Sequence, residues 1–187
     1  MVIRKISKRL QQVSTGWVTL GALILFLVFS ATVLPQQAEK AALNSGGADS
    51  PDTSFTYRVE ELYKMAEVYG ESGRQAYIRA RFTFDVIFPL VYAAFLVTAP
   101  SWVCQRTFPA ESRWQLANLV PVSGMVFDFL ENVATSLVMA RYPRPTAVVD
   151  WLAPVFTLVK WIFVYTSFAF LLAAILYGTW RWVKNRS

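Results

Sequence analysis

The sequence has no histidine and one cysteine, Cys104, among its 187 residues. The lack of histidine argues against haem ligation, zinc sites and a histidine-based catalytic triad. A single cysteine excludes an intramolecular disulfide and a Cys-x-x-Cys redox motif. Glycine-rich phosphate loops are also missing. The sequence therefore predicts no cofactor, and it predicts no metal site because its one set of neighbouring oxygen ligands, the DFLEN stretch of residues 128–132, is short and common.

Charge is scarce as well. Only 16% of the residues are charged, whereas 55% are hydrophobic. A typical soluble domain has about 25% charged and roughly 45–50% apolar residues. Too few charged side chains are present to cover a surface that faces water, and the apolar residues lie in long blocks. This composition predicts an integral membrane protein.

Four apolar blocks reach the roughly 20 residues that a membrane-spanning helix needs. They cover about residues 16–34, 83–103, 114–140 and 151–179. Tryptophan favours the membrane interface, where its ring is in apolar surroundings and its N–H meets water. Six tryptophans lie near the predicted span ends: Trp17, Trp102, Trp114, Trp151, Trp180 and Trp182. The sequence therefore predicts an all-α fold, a four-helix transmembrane bundle that forms one domain over residues 1–187.

The first span follows a basic tail and could be mistaken for a secretory signal. The apolar region of a cleaved signal is usually about 7–15 residues, and this span is longer. We therefore expect a retained signal-anchor helix. Apolar residues recur through the preceding tail at helical spacing, which predicts a short interfacial helix on anionic lipid headgroups: Ile3, Ile6, Leu10 and Val13.

Basic residues beside the spans predict the orientation, since they concentrate on the cytoplasmic side. The two tails and the loop after the second span hold nine basic residues against one acid, Glu111. The nine are Arg4, Lys5, Lys8, Arg9, Arg106, Arg113, Arg181, Lys184 and Arg186. Both termini are therefore expected in the cytoplasm, and the protein in the plasma (inner) membrane as a multi-pass protein. The formal charge of +6 is a topology signal and predicts no nucleic-acid partner.

Residues 35–80 form the outer segment between the first two spans. Residues 35–55 are polar and rich in turn formers, which predicts a surface loop. An amphipathic helix is predicted from about Tyr57 to Gly70. A second helix is expected to begin near Ser72 and to run without interruption into the second span. The amphipathic helix either covers the bundle end or lies on the membrane surface, and a simple covering role is favoured over gating.

Ionisable residues inside the spans are the most informative feature. Each Asp, Lys or Arg at the centre of a spanning helix costs about 2.5–3.5 kcal/mol on insertion scales. Helical geometry places these residues on one stripe per helix. The stripes contain Arg81, Asp85 and Tyr92 on the second span, Asp128, Glu131 and Asn132 on the third, and Lys160 on the fourth.

Polar stripes must face one another or water, because lipid satisfies neither charges nor hydrogen bonds. The three stripes therefore predict a polar pocket between the second, third and fourth spans that opens outward, with an apolar cytoplasmic half below it. Two structural alternatives stay open. Lys160 pairs with Glu131 or Asp128 only to hold two spans together, or Arg81 and Asp85 form an ordinary pair one turn apart.

Pro89 adds a local prediction. Proline has no N–H, so the carbonyl of Asp85 loses its partner within the helix, and the helix is expected to bend there. Pro121 is expected to do the same to the carbonyl of Ala117 in the third span.

The stretches ESGRQAYIRARFTFDVIFPLVYAAFL and FDFLEN resemble small, uncharacterised bacterial four-span membrane proteins. This resemblance covers roughly a third of the chain and implies a four-span fold without a particular activity. The plan of four helices with buried acids is also similar to the sterol-isomerase and sigma-2-receptor group, a likeness of fold only.

The favoured function is the binding, either alone or together with the modification, of an amphipathic or lipid-like ligand in the polar pocket. One alternative is an accessory or assembly subunit of a larger membrane complex without chemistry of its own. The other is an ion or proton conduit. The expected partners are membrane lipids, a small amphipathic ligand, and a larger complex or a homo-oligomer.

Overall fold

The computed structural model describes residues 2–186, and this described part is helical without a strand. The all-α prediction is therefore confirmed. The elements in chain order are α1 (Val2–Val13), α2 (Gly16–Val28), a π-helical turn (Phe29–Val33), α3 (Leu34–Asn44), a short 3-10 helix (Pro51–Thr53), α4 (Val59–Arg81), α5 (Phe84–Thr107), a second 3-10 helix (Arg113–Leu119), α6 (Val120–Arg141) and α7 (Val149–Lys184).

Four helical stretches are long and apolar enough to cross a membrane. They are Gly16–Asn44, Val59–Thr107, Arg113–Arg141 and Val149–Lys184. Each contains one predicted span, so the chain is an integral, multi-pass membrane protein. The most apolar window of the first stretch has a mean hydropathy of 2.3 and contains no buried residue. Much of that stretch is therefore free to face lipid, although Phe26 stacks on Phe95 of α5 with ring centres 5.3 Å apart.

The prediction of a surface loop from residue 35 is wrong for its first ten residues, because α3 continues the first span to Asn44. Pro35 is tolerated in the first turn of α3, where the N–H groups have no partner in a regular helix. A five-residue π-helical turn directly before it, Phe29–Val33, relaxes the hydrogen-bond spacing at this point. The polar composition of the segment reflects exposure rather than loop structure.

Helix α4 confirms the amphipathic helix and its predicted interruption. The backbone N–H of Arg58 donates to Glu61 Oε2 at 2.7 Å, which caps the first turn. Gly70 has φ 62° and ψ −177°, a conformation open mainly to glycine, and it breaks the helix there. The apolar face of α4, with Leu62 and Ala66, joins Val138 of α6 and Ala153 of α7 in one hydrophobic cluster. The apolar face of this helix therefore packs in a hydrophobic core.

The expected continuous helix into the second span is wrong, because α4 ends at Arg81 and α5 begins at Phe84. The Thr83 hydroxyl donates to the Arg79 carbonyl at 2.7 Å, the acceptor that the Thr83 N–H would use in a continuous helix. That N–H instead donates to the carbonyl of Ala80 at 3.2 Å. Side chains such as threonine compete with helix hydrogen bonds in this way. The break places Asp85 in the first turn of a new helix, where a negative charge is favoured.

The third span also begins differently from the prediction. Residues 113–119 form a 3-10 helix and α6 begins at Val120, so Pro121 lies in its first turn rather than at a mid-helix bend. Proline is well suited to that position because no helical hydrogen bond is lost there.

The chain divides into two compact units. Within the described chain, unit 1 comprises residues 2–27, 91–124 and 162–186. Unit 2 comprises Val28–Leu90 and Met125–Trp161. The single transmembrane domain of the sequence analysis stays a prediction.

Unit 1 contains a buried network of neutral polar groups. Ser7 Oγ of α1 lies 2.8 Å from Asn118 Oδ1 and 2.9 Å from the Gln115 carbonyl oxygen. Asn118 Nδ2 donates to Ser101 Oγ at 2.9 Å, and Gln115 Nε2 donates to the Cys104 carbonyl at 3.1 Å. The prediction of an apolar half around the termini is therefore wrong. Helix α1 itself is confirmed as a helix, and Ser7 is its one buried residue within the described chain.

Candidate functional site

Unit 2 brings six of the seven predicted site residues together. Arg81 is the last residue of α4, and Asp85 lies in the first turn of α5. Asp128, Glu131 and Asn132 lie on two consecutive turns of α6, and Lys160 lies on α7. All six side chains are buried: Arg81, Asp85, Asp128, Glu131, Asn132 and Lys160. We define the ion cluster as the charged members of this set together with Asp52.

Lys160 lies among three carboxylates. Its Nζ is 2.5 Å from Glu131 Oε2, 3.2 Å from Asp52 Oδ1 and 3.9 Å from Asp128 Oδ1. Oxygens of these three acids lie within 4.8 Å of one another, a spacing that would suit a hard cation. The ammonium group lies among these oxygens and donates a hydrogen bond to Asp52 Oδ1. Lys160 was predicted to pair with Glu131 or Asp128. In the structure it contacts both of these acids and also Asp52.

Arg81 contacts two carboxylates of the ion cluster. Its Nη2 is 2.6 Å from Asp85 Oδ2, and its Nη1 is 2.9 Å from Asp52 Oδ1. The guanidinium also lies over the ring of Tyr77, 4.7 Å from the ring centre, which favours its positive charge. The predicted Arg81–Asp85 pair is present. However, it is buried and shared with a third residue, so it is more than an ordinary surface pair.

Asp52 is the member that the sequence analysis missed. It lies in the 3-10 helix Pro51–Thr53, and one oxygen, Oδ1, contacts both Arg81 and Lys160. Burial disfavours the charge of Asp52, but the positive charges of Arg81 and Lys160 outweigh this effect and hold its pKa well below the usual range. An acid directly after a proline in a segment of turn formers looks like a solvated loop residue, so local pattern gave no signal for its position.

The segment around Asp52 is fixed by large side chains. We call residues 49–54 the cover segment. Trp161 Nε1 donates to the Ser54 carbonyl at 3.0 Å, and Tyr69 Oη donates to the Asp49 carbonyl at 3.0 Å. The Pro51 side chain is fully buried. These contacts hold the Asp52 carboxylate against the two cations.

Asn132 supports one part of the prediction for Pro89, the free carbonyl of Asp85, whereas the bend of the helix at this point stays a prediction. The Asp85 carbonyl lacks its helical donor because residue 89 is proline, and Asn132 Nδ2 donates to that carbonyl at 3.1 Å. The amide of α6 thereby replaces the missing backbone hydrogen bond of α5. Helix-breaking prolines in membrane helices are tolerated when a neighbouring helix satisfies the freed carbonyl.

Two further polar residues contact each other in unit 2: Thr157, which the helical repeat places on the polar stripe of the fourth span, and Tyr57. The Thr157 hydroxyl, on the polar stripe of α7, lies 3.1 Å from Tyr57 Oη. Burial raises the pKa of Tyr57, so this phenol stays neutral. Tyr57 precedes α4 in the chain, and its aromatic character gave no indication of a polar contact.

The charges of the ion cluster do not balance. Four carboxyl groups face two cations. In addition, Glu131 Oε1 and Asn132 Oδ1 are buried without a hydrogen-bond donor among residues 2–186. Buried acceptors in this state are costly. The cluster is therefore suited to a further positive charge, whether a proton or a cation that carries N–H donors.

Tyr92, the seventh predicted residue, is buried in the part of α5 that belongs to unit 1. Its role in a site stays a prediction. No family model, curated protein or solved structure matches the chain.

Proposed function

We propose that this integral membrane protein binds an amphipathic, lipid-like ligand whose positively charged head group is accepted by the ion cluster. The observation that carries the proposal is the excess of carboxyl groups over cations at a buried position in a membrane helix bundle. Ionisable residues at such positions are rare and commonly functional. A protonated amine would supply one of the two missing positive charges, and its N–H groups would meet the acceptors Glu131 Oε1 and Asn132 Oδ1.

We propose that the ligand reaches the ion cluster by passing Asp52. Its side chain is 27% exposed, whereas the side chains of Glu131 and Lys160 are 1% and 4% exposed. The cover segment is thus the layer between solvent and the buried charges. The apolar part of the ligand would lie among the acyl chains of the membrane.

The location in the cell belongs to the same proposal. The basic residues of the tails favour a plasma (inner) membrane protein with both termini in the cytoplasm. With that orientation, the cover segment lies on the outer side and the ligand enters from the outer leaflet.

Native mass spectrometry of the protein in lipid nanodiscs tests the proposal with two probes of equal chain length, a long-chain alkylamine and the corresponding alcohol. We expect the amine to bind and the alcohol to bind at least tenfold more weakly. Glu131→Gln should weaken amine binding at least tenfold, because it removes a negative charge that attracts the head group. The matched control is Glu67→Gln on the exposed side of α4, which should leave binding unchanged.

Equal binding of the amine and the alcohol would contradict the proposal. So would a Glu131→Gln variant that keeps both its thermal transition and its amine affinity. If that variant loses its fold, Asn132→Leu provides the second test, since it removes the free acceptor without changing charge. It should weaken amine binding by roughly fivefold.

A second candidate is an accessory or assembly subunit in which the cluster only joins helices. The observation in its favour is that Lys160 and Arg81 are both surrounded by acids of the same chain. In that case the double variant Glu131→Gln with Lys160→Met should keep or gain stability, as apolar replacement of buried pairs often does. Stable co-purification of further membrane subunits would support it. An ion conduit is disfavoured, since the buried polar side chains of unit 1 in the described chain are uncharged.

A further inference from the structure

Unit 1 contains a cavity of about 450 Å³ between the end of α5 and the end of α7. The volume is within the range of small-molecule sites, which is roughly 300–1,000 Å³. Two arginines line it, Arg106 from α5 and Arg181 from α7, together with Trp102, Trp182 and Asn185. The apolar residues Ala174 and Ile175 also line it. The cavity therefore joins a basic, aromatic region to an apolar one.

Both arginines are held in place and retain free donors. Arg106 Nη1 donates to the Trp102 carbonyl at 3.0 Å, and the Arg106 guanidinium lies 4.1 Å from the centre of the Trp102 ring. Arg181 Nη1 donates to the Thr107 carbonyl at 2.8 Å. Each guanidinium has five N–H donors, so most of them stay available. Neither arginine forms an ion pair with a carboxylate within residues 2–186.

Gly178 of α7 lies close to Thr107 of α5, and both line the cavity. A Cβ atom added to Gly178 would lie 2.9 Å from Thr107 Oγ1, so a larger residue there would displace the Thr107 side chain. The tryptophans are typical of the depth at which lipid head groups lie. Basic pockets between membrane helices at this depth are suited to anionic lipid head groups.

We infer that this cavity is a binding site for one anionic phospholipid. Arg106 and Arg181 bind the phosphodiester, and an acyl chain lies along Ile175. Guanidinium groups are well suited to phosphate because their planar donors match its oxygens. Positive charge without an acidic partner favours an anionic lipid over a zwitterionic one.

The test is the retention of lipid by the purified protein, measured by native mass spectrometry after equilibration with vesicles of phosphatidylglycerol and phosphatidylcholine in equal amounts. We expect at least a tenfold preference for phosphatidylglycerol. The double variant Arg106→Gln with Arg181→Gln should reduce its binding at least tenfold. The matched control, Lys184→Gln with Arg186→Gln, removes two charges from the same end of α7 but none from the cavity, and it should change binding less than twofold.

A second variant keeps both arginines and fills the cavity. Thr179 lines it from an exposed position, so Thr179→Trp should fold normally and still reduce phosphatidylglycerol binding at least tenfold. Glycerol phosphate, which has the phosphate but no acyl chain, should not displace the lipid at equal concentration. Equal loss in the control variant, undiminished binding in Thr179→Trp, or displacement by glycerol phosphate would overturn the inference.

Discussion

Units 1 and 2 both bury polar side chains among apolar helices, but the chemistry of the two sets differs. The network of unit 1 joins neutral hydroxyl and amide groups such as Ser7 and Asn118. The ion cluster of unit 2 joins full charges, with Lys160 among three acids. A neutral intramolecular hydrogen bond contributes about 1 kcal/mol net, whereas removal of one partner of a buried ion pair costs roughly 3–5 kcal/mol.

The comparison separates two uses of polarity in a membrane protein. Neutral groups can satisfy one another pairwise, and the network of unit 1 connects α1, the second 3-10 helix and α5 in this way. The ion cluster carries more acids than cations and includes a carboxylate from outside the spans, Asp52. We therefore expect the larger energetic effects, and the pH dependence, in unit 2.

Lys160→Met should have the largest effect. It leaves three carboxylates near one another without the ammonium group between them, and we expect the free energy of unfolding to fall by about 3–5 kcal/mol. Denaturant titration in detergent, followed by circular dichroism, measures the change. Lys64→Met on the exposed side of α4 is the control and should change stability by less than about 0.5 kcal/mol. Equal effects of the two variants would contradict the description of the cluster.

Asp52→Asn should lower the free energy of unfolding by about 2–3 kcal/mol at pH 7, because hydrogen bonds to charged groups are strong. The pKa of Asp52 is lowered in the folded protein. Its contribution is therefore complete above the unfolded-state pKa, which is about 3.9, and is lost as the pH falls through the folded-state value. The difference between wild type and variant should be constant from about pH 5 to 7 and should shrink below about pH 4.

The matched control for this prediction is Asp49→Asn, an exposed acid in the same cover segment. It should leave stability nearly unchanged over the whole pH range. A wild-type advantage over Asp52→Asn that grows on acidification would have the opposite sign and would contradict the account.

Asn132→Ala should cost about 1–3 kcal/mol, because the Asp85 carbonyl then stays buried without a donor. The second substitution Pro89→Ala restores a backbone N–H to that carbonyl. The cost of Asn132→Ala should therefore be smaller in the Pro89→Ala background, and a thermal-unfolding cycle of the four proteins measures the difference. Strict additivity of the two substitutions would show that Asn132 does not act through this carbonyl.

Ser7→Ala in unit 1 should have the smallest effect, about 0.5–1.5 kcal/mol, since it removes one neutral hydrogen-bonded group. Ile3→Ala on the exposed face of α1 should leave stability unchanged in detergent. A loss for Ser7→Ala as large as that for Lys160→Met would remove the distinction between the two units.

The sequence was most informative where the prediction depended on local periodicity. The stripe of α6 and the position of Lys160 follow from the helical repeat, and the free carbonyl of Asp85 follows from the chemistry of Pro89. In contrast, the position of Asp52 depends on how the chain between α3 and α4 returns to the helices. Asp52 and Lys160 are far apart in the sequence, so no helical repeat encodes their contact.

Two other differences between the prediction and the structure have local causes that the amino-acid composition does not indicate. Residues 35–44 are polar because they are exposed, and exposed helices and loops share that composition. The end of α4 depends on one hydroxyl, that of Thr83, taking the carbonyl of Arg79. Threonine within an apolar helix usually causes no break, so its presence alone did not predict one.

The central claim is that Asp52 and the charges on the helices form one coupled cluster. A double-mutant cycle of Asp52→Asn and Lys160→Met, with the free energy of unfolding as the readout, tests it most directly. We expect a coupling energy of about 1–3 kcal/mol, as residues in one ionic network show, while the cycle of Asp49→Asn with Lys160→Met stays additive. Additivity of Asp52→Asn and Lys160→Met within about 0.5 kcal/mol would contradict the claim.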